Sequence, residues 1–301
     1  MPMLVLSEAS DRIPPSASSR DIKAVTEIAK LLGCRVYYIP QDFTICETAE
    51  NALFHIPKQE RETLGVWIGY IPTPERYTAI YNEALGKNIR LLNTPEEHLT
   101  VQEFDRAYPK ILNLTPESMT ITDLAQCQEV VNKLGLPLFV KGTVQSRKAR
   151  GWKACVANTL AELEILSQQL LNLENRSRGR IIARKLVKLR HVRSTPEGFP
   201  LGREYRVFVY QQKVIGCGYY WEGEDPLKKL SASEESKVIE LALNAAKRLG
   251  VPYSAIDIGQ LEDEKWIVIE TGDPQFSGVS QIPLLQLWNE IIKIDKNNLG
   301  I

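Results

Sequence analysis

The chain has 301 residues, and its 37 Lys and Arg side chains balance 37 Asp and Glu side chains. With 44% hydrophobic and 25% charged residues, the composition is that of a globular protein, which excludes a disordered or collagen-like chain. The zero net charge also argues against a protein that coats nucleic acid, because such proteins carry a basic excess. The length predicts roughly two domains.

The sequence gives no indication of membrane association or export. No run approaches the ~18 apolar residues of a membrane helix, and Glu8 interrupts the first apolar stretch too early for a signal peptide. The five cysteines are scattered and form no CxxC pair, which is typical of reduced structural thiols. We therefore expect a cytoplasmic protein.

Four Leu-Gly pairs along the chain predict repeated αβ units, and with them a largely parallel sheet in the first ~100 residues. Glycine after a helix adopts the left-handed conformation easily, so a Leu-Gly pair before an apolar run marks a helix end. Such units favour a largely parallel sheet. The pairs are Leu32-Gly33, Leu85-Gly86, Leu134-Gly135 and Leu249-Gly250. Strands are predicted at Leu4–Leu6, Val36–Ile39, Val66–Ile68 and Ile89–Leu92, and helices over 20–33 and 74–86.

The rest of the chain predicts mixed strands and helices, with antiparallel pairs toward the C-terminus. Its middle block predicts helices over 121–134 and 160–173, and strands at Pro137–Lys141, Lys153–Ala157 and Arg180–Leu189. Its last block predicts a hairpin of Glu204–Gln211 with Val214–Trp221, a helix over 232–249, a hairpin of Tyr253–Leu261 with Lys265–Thr271, and a helix over 279–294.

The last hairpin carries the sharpest chemical signal. With Asp263 and Glu264 at its tip, Asp257 falls directly opposite Glu270, and both lie in strongly apolar strands. Opposed, buried like charges are destabilising unless a cation lies between them. A bound divalent cation would remove this conflict, and carboxylates commonly hold Mg²⁺ against nucleotide phosphates. Asp273 could supply a third oxygen ligand to the ion. The alternative is a register shifted by one or two residues, with one carboxylate in solvent.

Basic side chains cluster in the middle of the chain. Lys141 ends an apolar strand and could point into a cleft or into solvent. The loop that follows holds Ser146 and Lys148, with further cations and Gly151, and suits phosphate, although many basic loops are only solvated surface. Residues 141–193 carry 13 basic and 3 acidic side chains, whereas both flanking regions are acidic. The zero net charge thus results from a basic middle region and acidic flanking regions that cancel, and it is compatible with a local site for a polyanion.

Two further stretches add candidates. Arg184 and Lys185 lie in the strand predicted at Arg180–Leu189. Glu204, Arg206 and Phe208 share one face of the strand predicted at Glu204–Gln211. The pair of Glu204 and Arg206 is either a structural ion pair or a site where the glutamate accepts from ribose hydroxyls and the arginine meets a phosphate.

The order of these features resembles the ATP-grasp superfamily from about residue 90 to 290. The segments that carry the resemblance are Leu134–Lys141, Ile256–Gly259 and Ile267–Glu270. The arginine in the Arg184 strand, followed by Glu-x-Arg, resembles an uncharacterised clade marked by one arginine and two lysines. The resemblance implies an α/β fold, α+β in its C-terminal part. It implies a Rossmann-like domain at 1–105, a lid subdomain at 106–190 and a C-terminal subdomain at 191–301.

The resemblance also implies roles in binding ATP with Mg²⁺ or Mn²⁺. Lys141 and Ser146 would contact phosphates, together with Lys110 or Arg106. The backbone of Lys185, Leu186 and Val187 would hold the adenine, and Glu204 the ribose. Asp257, Glu270 and Asp273 would be the metal ligands, and Arg206, Lys148 and Arg184 would stabilise the transferred phosphoryl group.

Two positions depart from the family pattern. Gly272 stands where a third ligand is usual, and Ala255 where an arginine often precedes the first metal aspartate.

We predict an ATP-dependent carboxylate–amine ligase that acts through an acyl phosphate on a small molecule or peptide. The resemblance leaves the oligomeric state open, with a homodimer as one option. A phosphotransferase and a non-catalytic ATP-binding module are the alternatives, and a nucleic-acid-modifying enzyme, suggested by the basic stretch 176–193, is a lesser one.

Overall fold

The structure is a computed structural model that describes residues 3–11, 14–44 and 46–298. Within these ranges, no helix combines the length and the apolar character needed to cross a membrane. Three four-stranded sheets, arranged in chain order, and the helices that cover them form the architecture.

The N-terminal sheet is parallel, as predicted, and its strand order is β2-β1-β3-β4. The strands that were predicted all exist, and the first helix begins three residues earlier than expected. Ser16 caps that helix, because its hydroxyl accepts from Ser19 N. The elements are β1 (Leu4–Ser7), α1 (Ala17–Leu31), β2 (Arg35–Tyr38), α2 (Ala49–Leu53), β3 (Thr63–Ile68), α3 (Pro74–Gly86), β4 (Ile89–Leu91), α4 (Pro95–Gln102) and α5 (Phe104–Ala107).

The middle sheet is antiparallel in the order β5-β8-β6-β7. Its first strand was not predicted, and the helix expected from 121 begins as an α-helix only at Cys127, after a 3₁₀ turn. The strand expected at Lys153–Ala157 is shortened by a 3₁₀ turn at Trp152–Ala154. The elements are β5 (Ser118–Ile121), α6 (Cys127–Leu134), β6 (Leu138–Gly142), β7 (Val156–Ala157), α7 (Leu160–Leu171), α8 (Glu174–Ser177) and β8 (Ile181–Lys185).

The C-terminal sheet is antiparallel in the order β12-β11-β13-β14. Both predicted hairpins form, and the last helix begins at residue 284 instead of 279. The elements are β9 (His191–Ser194), β10 (Pro200–Gly202), β11 (Glu204–Tyr210), β12 (Lys213–Tyr219), α9 (Ala232–Leu249), β13 (Tyr253–Gln260), β14 (Trp266–Gly272) and α10 (Leu284–Asn298).

The register of the last hairpin confirms the central prediction, since Asp257 faces Glu270. Toward the tip the pairing shifts by one residue, so that Ile258 faces Val268. A β-bulge of this kind places two residues against one and bends the strand. The predicted register therefore holds only for the half of the hairpin that carries the carboxylates.

One hydrophobic core joins the two ends of the chain. Met3 and Val5 of the N-terminal sheet belong to the same buried cluster as Phe208, Tyr253 and Trp288. Helix α10 thereby packs back toward α1, and the N-terminal sheet lies beside the C-terminal one. This closure brings residues that are far apart in sequence to the same cavities.

Candidate active site

Two cavities meet at a cluster of charged side chains. The first, about 450 Å³, lies along residues 185–189 and is called the hinge cavity. The second, about 440 Å³, is lined by Lys148, Arg176 and Arg206 and is called the basic cavity. Ser146, Lys148, Phe199 and Glu270 line both.

The buried Lys141 and Arg184 form a charge cluster with the half-buried Glu270 in the hinge cavity. Lys141 faces Ile182 across the middle sheet, so Lys141 and Arg184 lie on the same face. The ammonium of Lys141 donates to Glu270, and Arg184 Nη1 donates to the Ile269 carbonyl at 2.6 Å. The Nε and Nη2 atoms of Arg184 are buried with no hydrogen-bond partner in the described structure. Buried, unpaired guanidinium donors fit an anionic ligand such as phosphate.

The pKa values in this cluster follow from burial and charge. Burial lowers the pKa of Lys141 and lowers that of Arg184 to about 10. Burial alone would raise the pKa of Glu270, but the neighbouring cations Lys141, Lys148 and Arg184 hold it at about 2. Glu270 is therefore an ionised carboxylate among cations.

Arg206 and Asp257 form a second buried pair on neighbouring strands, where the sheet register places them face to face. The guanidinium binds both carboxylate oxygens, with Nε to Oδ1 at 2.8 Å and Nη2 to Oδ2 at 2.7 Å. Arg206 also donates to the Gly278 carbonyl at 2.7 Å and stacks over Tyr220, with 4.7 Å from Cζ to the ring centroid. The two opposed carboxylates of the hairpin are thus each bound by a cation of this chain.

Glu204 and Lys148 occupy the junction of the cavities. The Lys148 ammonium lies 5.3 Å from the ring centroids of both Tyr220 and Trp221. Burial opposes the charge of Lys148, but Glu204 and the other nearby carboxylates raise its pKa. Burial raises the pKa of Glu204 to about 7, and its Oε2 has no hydrogen-bond partner among the atoms described. An unpaired buried acceptor suits a hydroxyl donor such as a ribose.

Most of the predicted site residues line one of the two cavities, whereas Lys110, Asp257 and Asp273 line neither. The hinge cavity is lined by Lys141, Ser146, Lys148, Arg184, Lys185, Leu186, Val187, Glu204 and Glu270. Lys110 is exposed and lines neither cavity, and the alternative cation Arg106 pairs with Glu103 and Glu96. The carboxylate of Asp273 binds His98 Nδ1 at 3.0 Å and accepts from Gln275.

The residues fit a metal that is held by two carboxylates. Among the described residues, no three His, Cys, Asp or Glu side chains are grouped to hold an ion, so Asp273 does not complete a triad with Asp257 and Glu270. Mg²⁺ commonly takes only one or two protein carboxylates and completes its octahedron with phosphate oxygens and water. Asp257 and Glu270 fit that smaller role, provided that their present partners give way.

Sequence reasoning missed the aromatic side chains of the site. The ring of Phe104 packs against both Lys141 and Arg184. Its centroid lies 5.3 Å from Lys141 Nζ and 4.3 Å from Arg184 Cζ. Tyr220 and Trp221 surround Lys148 with Phe199. An available signal was the run of three aromatics at 219–221, which ends the strand paired with Glu204–Tyr210.

Comparison with known protein families finds a match. The family model that matches is an ATP-grasp domain, family 3 of the clade named for one arginine and two lysines, and it covers residues 108–291. No curated protein matches the chain.

Three solved structures illustrate the fold similarity. D-alanine–D-alanine ligase from Bacillus anthracis, complexed with ATP, has a TM-score of 0.66 at 12% identity, over 99% of this chain and 98% of that one. A RimK domain ATP-grasp protein from Sphaerobacter thermophilus has a TM-score of 0.61 at 12% identity, over 97% and 99%. The ATP-grasp ligase PsnB, complexed with minimal precursor, Mg and ADP, has a TM-score of 0.57 at 14% identity, over 97% and 98%. The TM-scores show a shared fold, and the predicted mixed α/β ATP-grasp architecture is confirmed.

Proposed function

We propose that this chain, which belongs to the ATP-grasp clade named for one arginine and two lysines, is an ATP-dependent ligase that joins a carboxylate to an amine. The observation that carries the proposal is the meeting of two cavities at Lys148 and Glu270, beside the buried unpaired donors of Arg184. One cavity has the lining expected for a nucleotide, and the other provides cations for a second, anionic reactant. The N-terminal domain would span residues 1–105, the lid subdomain 106–190 and the C-terminal subdomain 191–301.

ATP would lie in the hinge cavity. The backbone of Lys185–Val187 would bind the adenine, and the unpaired Oε2 of Glu204 would accept from a ribose hydroxyl. Lys141, Lys148 and Ser146 would contact the phosphates, so that the terminal phosphoryl group points toward the basic cavity. Asp257 and Glu270 would hold Mg²⁺ or Mn²⁺, which when bound neutralises phosphate charge.

The reaction would proceed in two displacements. A carboxylate oxygen of the substrate attacks the γ-phosphorus, the bond to the ADP oxygen breaks, and an acyl phosphate forms. The amine nitrogen then attacks the acyl carbon, phosphate leaves with the electron pair, and the amine loses a proton. Arg206, Lys148 and Arg184 would stabilise the developing negative charge, and no protein nucleophile is needed.

The test is an ATP-turnover assay with substrate pools. We expect ADP and phosphate to be released when Mg-ATP is supplied with pools of amino acids and carboxylic acids, and mass spectrometry to detect an amide product. Lys141→Met, Asp257→Asn and Glu270→Gln should each abolish turnover, whereas the exposed-site control Glu164→Gln should not. A stable phosphorylated product would indicate a phosphotransferase instead of a ligase. ATP binding without turnover in any of the pools would indicate a non-catalytic binding module.

A further inference from the structure

A third cavity of about 110 Å³ adjoins the basic cavity and is called the apolar cavity. Most of its wall is hydrophobic, with residues from α1, β3 and α10 and from the segments 69–71 and 274–279. The two cavities are joined by residues that line both, namely Ser18, Ile71, Gln145, Phe276, Ser277 and Gly278. The space exceeds what a single water needs and suits a small apolar group.

Asp21 is the charged residue in the wall of the apolar cavity. Its carboxylate is half-buried, and its Oδ2 accepts a long hydrogen bond of 3.4 Å from Val279 N. A Cβ added at Gly278 would lie 3.1 Å from Asp21 Oδ2 and 3.6 Å from Arg206 Nη1, so the two side chains flank this glycine. Asp21 therefore reaches the boundary between the apolar and basic cavities.

The two joined cavities contain one carboxylate that is available to a ligand. Their acidic lining residues are Asp21 and Glu270, and Glu270 is bound by Lys141. Asp21 forms no ion pair within the part of the chain that the structure describes. Burial raises the pKa of its carboxyl, although the nearby cations Arg20 and Arg206 oppose that rise. A cationic partner would relieve that cost.

We propose that Asp21 and the apolar cavity form the amine subsite of the enzyme, and that the amine substrate is a primary amine with a small apolar substituent. The ammonium would bind the Asp21 carboxylate, and the substituent would fill the cavity. The carboxylate reactant would remain with the cations of the basic cavity, Lys148, Arg176 and Arg206. The assignment of the amine as a reactant rests on the proposed ligase function, whereas the binding site itself does not.

The experiment is calorimetric titration of the full chain with isobutylamine, a primary amine with a small branched apolar group. Isobutanol is the matched ligand without charge. Asp21→Asn keeps the side-chain shape, and Glu27→Gln makes the same change on the exposed face of the same helix. Titration with ADP, which would occupy the separate hinge cavity, checks that each variant is folded.

We expect wild type and Glu27→Gln to bind isobutylamine, and isobutanol to bind at least about tenfold more weakly. Asp21→Asn should lower the amine affinity about tenfold or more and leave the ADP affinity unchanged. Equal binding of amine and alcohol, or an unchanged amine affinity in Asp21→Asn, would overturn the subsite. If the amine binds as expected but the ATP-turnover assay yields no amide product, the result would support the subsite and count against the ligase function alone.

Discussion

The pH dependence of nucleotide binding tests the role proposed for Glu204. Burial raises the pKa of this carboxyl to about 7, despite the opposing effect of Lys148. Ribose hydroxyls donate to an acceptor, so the ionised carboxylate is the form that binds. Protonation competes with binding below pH 7, and the affinity should therefore fall as the pH decreases.

The size of the effect follows from that pKa. At pH 6 about one molecule in eleven carries an ionised Glu204, and at pH 8 about ten in eleven do. If the bound nucleotide lowers the pKa well below 6, the dissociation constant should be about tenfold larger at pH 6 than at pH 8. Glu204→Gln removes the titrating group, so it should lose this tenfold dependence.

The assay is calorimetric titration with ADP at pH 6, 7 and 8 and a fixed Mg²⁺ concentration. The phosphates of ADP titrate in every variant, so the ratio of wild-type to Glu204→Gln affinity isolates the glutamate. Glu164→Gln, an exposed carboxylate change on α7, should follow the wild type. Parallel pH profiles for wild type and Glu204→Gln would refute the assignment of Glu204 to the ribose.

Two further predictions concern stability. Gly142→Ala should destabilise the fold by about 1–3 kcal/mol in urea unfolding, because its Cβ would clash with the backbone carbonyl of Arg176 and no flexible side chain can yield; an unchanged midpoint would contradict the contact. Arg203→Lys should cost about 2 kcal/mol by the same measurement, since the buried guanidinium binds the carboxylate of Glu234 and two backbone carbonyls that one ammonium cannot reach together. Lys228→Arg, at an exposed i,i+4 pair, is the matched control and should change little.

The sequence predicted the carboxylate hairpin because alternation and register are local properties. Strand periodicity of two residues and a short acidic turn were sufficient to place Asp257 opposite Glu270. The bulge beyond Asp257 left no comparable signature, and the register prediction was wrong from Ile258 toward the tip. A one-residue insertion in the pairing does not disturb an apolar run such as Ile267–Ile269.

The parts that sequence reasoning missed depend on contacts between distant segments. Lys141 and Glu270 are 129 residues apart, and Asp21 lies beside Gly278 only because α10 folds back on α1. The carboxylate of Asp273 follows the hairpin in sequence, yet it binds His98 in the stacked aromatic cluster with Tyr77. No local pattern distinguishes a metal ligand from such a buried structural aspartate.

The pairing of the hairpin carboxylates explains how so many charges can be buried together. Asp257 and Glu270 face each other, yet each is bound by a cation, Arg206 and Lys141 respectively. In the proposed function the same two cations would bind phosphates, and the two carboxylates would bind a metal ion. Each of these four charges would then exchange one partner of opposite sign for another, so none of the four is left unpaired in either arrangement. It follows that removing one carboxylate should impair both arrangements, because a cation would lose its partner in the free protein and the metal would lose a ligand in the bound one.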